Sequence, residues 1–233
     1  MKNATIKVKV KQRLNKLASN DYDNIMDWQI VEAFNKGMID WCRRQIQGTN
    51  LSKTGNESTN RRVDDLQPII THEPLTLGKK DGFYASNIFP KDYFQWKRIS
   101  AKFKKDCCPA RRGMIYLAEE GNVDELLRDV NKNPNFEWAE TFCTLSGNVI
   151  RVYTDNKFDI EDVVLTYYRQ PKRIQIKGTV NPYTTEATLE EVECEFHDDV
   201  IELLIDECVK IISGDIESIT ANQLAEQSVE QNN

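Results

Sequence analysis

Apolar residues recur every three or four positions near both ends of this chain and closer to every second position in its middle, so helices are expected outside and strands inside. After Asn24, the residues Val31, Phe34, Met38, Trp41 and Cys42 mark one face of an amphipathic helix running to about Gln47. Asn24 or Asp27 can cap its start, and Gly48 can take the left-handed conformation that ends it. Near the other terminus Val200, Leu203, Leu204, Cys208, Ile211 and Ile212 mark a second helix, with Asp198 and Asp199 at the end where the helix dipole favours negative charge. Ser213-Gly214-Asp215 is expected to break it, before a short final helix carrying Ile216, Ile219, Leu224 and Ala225. The first residues are ambiguous: Ile6-Lys7-Val8-Lys9-Val10 alternates like a strand, whereas the continuation through Arg13, Leu14 and Leu17 suits a basic amphipathic helix, the preferred reading.

Between the helices lies a polar stretch, residues 49–65, with hardly any apolar side chain, expected as a surface arm. Residues 66–105 mix Pro68, Pro74 and Pro90 with short apolar groups and suggest short strands and turns. Met114-Ile115-Tyr116-Leu117 is expected as a strand, followed by a helix with Val123, Leu126, Leu127 and Val130 that Asn133-Pro134 stops. Residues 137–145 and 149–153 flank the turn residues Ser146-Gly147-Asn148 as a hairpin, and Val163 to Arg169 forms a further strand. The fold class expected is α+β: a helical bundle from the N- and C-terminal helices with an inserted small antiparallel β domain. Its divisions are residues 1–65 (N-terminal helices and polar arm), 66–180 (β-rich with one short helix) and 181–233 (acidic segment and C-terminal helices packing on the N-terminal helix).

At 233 residues, with 39% hydrophobic and 29% charged residues, the chain can fold around a modest core. No stretch approaches the roughly 18 to 20 apolar residues of a membrane span, and the N-terminus lacks a signal peptide's apolar block, so a protein kept in a cytosol, or in particles assembled there, is expected. The net charge of -6 is unevenly laid out. Eight basic residues between Lys91 and Arg112 face only Asp92 and Asp106, with Tyr93, Phe94 and Trp96 interleaved, while Glu190, Glu191, Glu193, Glu195, Asp198 and Asp199 form an acidic run. A basic strip with aromatics can hold nucleic acid, and it can equally be the solvent face of strands.

Motifs for chemistry are missing. There is no GxxxxGK[ST] or GxGxxG phosphate loop, no GxSxG elbow and no HExxH, and His72 and His197 lie in different elements. The six cysteines include no CxxC pair, which disfavours structural zinc and suits small buried apolar residues. The acidic run offers carboxylates for a metal-dependent nuclease, but Asp198 and Asp199, adjacent on a helix, point in different directions. A docking surface or solvated face suits the run better.

Three stretches carry a resemblance that covers most of the chain: Ile30-Val31-Glu32-Ala33-Phe34-Asn35-Lys36-Gly37 through Asp40-Trp41-Cys42-Arg43-Arg44-Gln45; Asn133-Pro134-Asn135-Phe136-Glu137-Trp138-Ala139-Glu140-Thr141-Phe142; and Leu165-Thr166-Tyr167-Tyr168-Arg169-Gln170-Pro171-Lys172-Arg173-Ile174. With the order of elements, they resemble the head-to-tail ring proteins, or portal adaptors, of crAss-like short-tailed phages. The resemblance implies a non-enzymatic virion component with no cofactor or metal, assembled in the host cytoplasm. It implies a homo-oligomeric ring, twelve copies in the family, that contacts the portal protein and adjacent ring or tail proteins while genomic DNA passes through the channel; no membrane is involved.

A closed ring joins two different faces of each subunit. The candidate interface residues are therefore Lys97, Arg98, Lys102 and Lys104 on the basic strip and Glu190, Glu191, Glu193 and Glu195 on the acidic run, since opposite patches set register. Two alternatives stand beside this: a nucleic-acid-binding phage or bacterial protein using the strip 91–112, and an enzyme built on the acidic run.

Overall fold

The computed structural model describes residues 1–17, 25–48, 64–86, 89–106, 108–180, 182, 187–215, 227 and 229. Its helices are α1 (Asn3–Leu17), α2 (Asp27–Gln47), α3 (Val123–Arg128) and α4 (Asp198–Asp215). Its strands are β1 (Ile70–Pro74), β2 (Leu77–Lys79), β3 (Phe83–Ser86), β4 (Tyr93–Lys105), β5 (Cys108–Leu117), β6 (Glu140–Ser146), β7 (Val149–Tyr153) and β8 (Asp159–Arg169). Contacts divide the chain into a first unit, Met1–Pro68 with Pro171–Asn233, and a second, Ile69–Gln170.

The first unit is built on α1, α2 and α4. The ambiguous N-terminal stretch is helix α1, and Ile6, Val10 and Leu14 repeat at four-residue spacing as its buried face. Helix α2 buries Phe34, Met38, Trp41 and Cys42, and α4 buries Val200, Leu204, Cys208 and Ile212. At Gly37 a Cβ would lie 3.1 Å from the Glu207 Cβ, so glycine there lets α2 and α4 approach closely. Arg44 closes this contact with an ion pair to the buried Glu207, while Lys9 and Arg13 on α1 pair with Glu202, and Arg13 also with Asp206, on α4.

Helix ends differ in part from expectation. Gly48, at φ 75°, terminates α2 as expected. The start of α2 lies at Met26, whose backbone N–H donates to Gln29 Oε1 at 2.9 Å; Asp27 lies inside the first turn and accepts from Lys7 Nζ at 2.7 Å. Helix α4 runs on through Ser213 and Gly214 to Asp215, because a helical glycine costs only about 1 kcal/mol and Ile212 is buried beside it. The expected arm (49–65, apart from residues 64 and 65), the final helix and Cys107 lie outside the described residues.

The second unit corrects the expected fold. The chain is not a helical bundle with a small inserted antiparallel domain: its largest element is a curled eight-stranded mixed sheet, order β1-β8-β4-β5-β6-β7-β3-β2, accompanied by short helices. Every neighbour pair is antiparallel except β5–β6, where Met114 to Leu117 run parallel to Glu140 to Cys143. Parallel strands need a crossover of about a dozen residues or more, and the segment carrying a 3-10 turn (Glu120–Asn122) and α3 supplies it. The helix expected after Met114 to Leu117 is thus part of a crossover between parallel strands, where an antiparallel domain was expected. The basic strip, expected as short strands and turns, is instead a long hairpin of β4, with 13 residues, and β5, with 10.

One face of the sheet holds this unit's core: Ile99, Ala101 and Phe103 of β4, Ile115 of β5, Cys143 of β6, Val152 of β7 and Leu165 and Tyr167 of β8. Gly113 sits directly beneath Phe103, whose ring would lie 2.1 Å from any Cβ there. The expected hairpin forms as β6–β7, turning at Gly147 and Asn148, both with positive φ.

Candidate interaction surfaces

The four basic candidates all lie on β4. Lys102 Nζ donates to Asp162 Oδ2 at 2.7 Å and Lys104 Nζ to Glu161 Oε1 at 2.9 Å, so both ammonium groups are paired across to β8. A bulge makes this double pairing possible: between the Ser100↔Val164 and Lys102↔Glu161 pairs, β8 carries one extra residue, and Asp162 takes φ 51°. Successive acids thereby meet alternate lysines. Each hydrogen bond, and then the charge behind it, holds its ammonium above the usual lysine pKa. Lys97 Nζ lies 5.1 Å from the Tyr168 ring centroid and Arg98 is exposed.

Two further basic residues of the strip are engaged. Arg111 donates to the Glu137 carbonyl at 3.1 Å and lies over the Phe136 ring, as Lys105 does. The interleaved aromatics form no exposed platform: Tyr93, Phe94 and Trp96 are half-buried, and Tyr93 packs between Phe89 and Tyr167. A stacking surface for bases needs exposed ring faces.

The acidic candidates lie in the first unit, on the segment leading into α4. Glu190, Glu191 and Glu193 are exposed, whereas Glu195 is half-buried and accepts the Lys172 backbone N–H at 3.0 Å. Asp198 and Asp199 open α4 and are exposed. Basic and acidic candidates thus belong to different units.

His72 Nδ1 lies 3.0 Å from Thr166 Oγ1, and His197 is exposed. Among the described residues, no three His, Cys, Asp or Glu side chains come together as a metal site. Burial pushes the Cys143 thiol up to about 12 and Cys194 to about 11, and raises Cys42 and Cys208 as well, so these four thiols are protonated near neutral pH. The buried Tyr167 hydroxyl faces two carboxylates, Asp92 Oδ1 at 2.8 Å and Glu73 Oε2 at 3.2 Å; burial first, then the Asp92 hydrogen bond, raises its pKa.

Sequence reasoning missed a surface in the second unit. Trp138 is 79% exposed, Val130 81% and Met114 64%. The backbones at Met114 and Trp138 are held near one another, since the Met114 N–H donates to the Ala139 carbonyl at 2.8 Å. The Trp138 loop is itself fixed, since Asn135 Oδ1 accepts the Glu137 and Trp138 N–H groups. In the sequence Trp138 reads as one inward position of an alternating strand, so no signal marked it as exposed.

No protein-family model matches this chain, and no curated protein matches it. The class defined by its own structure is a two-unit protein, one unit a curled mixed sheet and the other built, among the described residues, mainly on the long helices α1, α2 and α4.

Proposed function

We propose that this chain is a non-enzymatic assembly component, a head-to-tail ring protein that joins portal to tail in a short-tailed, crAss-like phage particle. It would form a closed ring, twelve copies on the family pattern, with the portal on one side, another ring or tail protein on the other, and the genome passing through.

The observation that supports this best is the exposed apolar pair Trp138 and Met114 on a fixed loop and an adjoining strand. Large apolar side chains held rigidly in water are the anchors of protein interfaces, where tryptophan is over-represented. The sequence resemblance supplies the identity of the partner.

The test is native mass spectrometry of the purified chain over a range of concentrations, alone and with the portal protein of the same genome. Discrete rings, or a high-order complex that needs the portal, are expected. A chain that stays monomeric with the portal present and binds single-stranded DNA instead would overturn the reading.

A further inference from the structure

Helix α3 is anomalous. Its apolar residues Val123, Leu126 and Leu127 are only half-buried, and its exposed charged side chains Asp124, Glu125 and Arg128 make no hydrogen bond or ion pair among the described residues. A six-residue helix with no fully buried residue has little to hold it in water alone.

The first unit presents a surface with the opposite need. A cleft of about 590 Å³ runs along α2, walled by α2 and the segment around Ile174 and Ile176, with Val31 and Ile39 half-buried along it. Glu32, Lys36 and Asp40 line the same cleft at four-residue intervals. All three are exposed, and among the described residues their side chains have no partner.

We propose that α3 of one copy seats in the α2 cleft of a second copy, with Asp124 against Lys36 and Arg128 against an acid of α2. Four residues advance about 6 Å along any α-helix, so Asp124 and Arg128 have the spacing of Lys36 and its acidic neighbours. The match survives reversal of direction: with Asp124 on Lys36, Arg128 meets Asp40 in a parallel arrangement and Glu32 in an antiparallel one. The mixed signs of Glu32, Lys36 and Asp40 suit a mixed-charge helix and offer a phosphate backbone little. Leu127 and Val123, four residues apart on one side of the Asp124–Arg128 face, would cover Val31 and Ile39 beside the charges.

This inference rests on the ring reading and names the subunit contact within it. The contact joins different surfaces of two copies, which is the geometry that closes a ring. A single six-residue helix covers less than the roughly 1,000 Å² of a stable interface, so the contact is weak as an isolated pair and gains strength when repeated around a ring or organised on a portal.

The experiment is charge exchange on the full chain, with assembly followed by native mass spectrometry alone and with the portal. Lys36→Glu and Asp124→Lys should each weaken self-assembly about tenfold or more, and the double variant should recover to within about threefold of the unaltered chain. Both positions are exposed, so circular dichroism of each variant should match the unaltered chain. Single variants that assemble normally, or a double variant no better than either single one, would overturn the cleft contact while leaving the ring reading intact. Variants that still self-assemble but lose the portal would assign the cleft to the portal and overturn the second-copy assignment. Failure of the unaltered chain to assemble under any condition would overturn the ring reading and this contact together.

Discussion

The Asn35 side chain pairs with the backbone of Ile174 at both ends: Oδ1 accepts the Ile174 N–H at 2.8 Å and Nδ2 donates to the Ile174 carbonyl at 3.2 Å. A side-chain amide thus does for an extended segment what a neighbouring strand would do. Asn3 on α1 acts as donor alone, its Nδ2 donating to the Gln175 and Val192 carbonyls at 3.0 Å each. Both asparagines are buried, and together they fix the paired segments around Gln175 and Val192 against α1 and α2.

Replacing Asn35 with leucine would leave a buried N–H and a buried carbonyl without partners. Each costs about 1 to 3 kcal/mol, so Asn35→Leu should destabilise the first unit by about 2 to 6 kcal/mol. Urea unfolding of the full chain followed by tryptophan fluorescence checks this, and Trp41, buried beside Phe196, reports on the same unit.

The second unit has its own sensitive point at Gly113. An alanine there brings a methyl into the Phe103 ring, which is fully buried and has little room to move. Gly113→Ala should cost about 1 to 3 kcal/mol, read as a lowered urea midpoint. Equal stability of variant and unaltered chain would show that β4 and β5 can separate at this pair without cost.

Trp138→Ala should have the opposite profile. The side chain is 79% exposed, so stability should change by less than about 0.5 kcal/mol. Under the ring reading, assembly with the portal should fall markedly in the same variant. Unchanged assembly would remove Trp138 as an interface anchor.

A mild acid effect is expected from Asp159. Its hydrogen bonds to Lys79 Nζ at 2.6 Å and Tyr84 Oη at 2.6 Å hold the carboxyl below its usual pKa, the lysine bond first. A depressed carboxylate contributes stability that is fully present above the unfolded value of about 3.9 and is lost as pH falls through the lower folded value. The Asp159 side chain is 52% exposed, so solvent screening limits the contribution to under about 1 kcal/mol. Thermal unfolding from pH 5 down to pH 2 should show a slightly steeper loss for the unaltered chain than for Asp159→Asn.

Much of the secondary structure was legible because burial and period coincide. Phe34, Met38, Trp41 and Cys42 are buried on α2 at the spacing that predicts the helix, and Gly48 ends it with positive φ. The β6–β7 hairpin was equally readable from its turn residues. The candidate surfaces were not. Lys102 and Lys104 look like free basic residues until the bulge at Asp162 brings the acids of β8 beside them, a pairing across nearly sixty residues of sequence or more.

What the sequence determined by itself is local: where helices and strands form, which face of each is apolar, and which residues permit turns, since these depend on neighbours three or four positions away at most. The tertiary structure alone decided strand order, the parallel β5–β6 pair and its crossover, the pairing of Lys102 and Lys104, and the exposure of Trp138. Those outcomes rest on contacts between residues far apart in sequence. The same alternating pattern fits a small antiparallel domain and an eight-stranded mixed sheet, and only the energy of packing complete strands against one another separates the two.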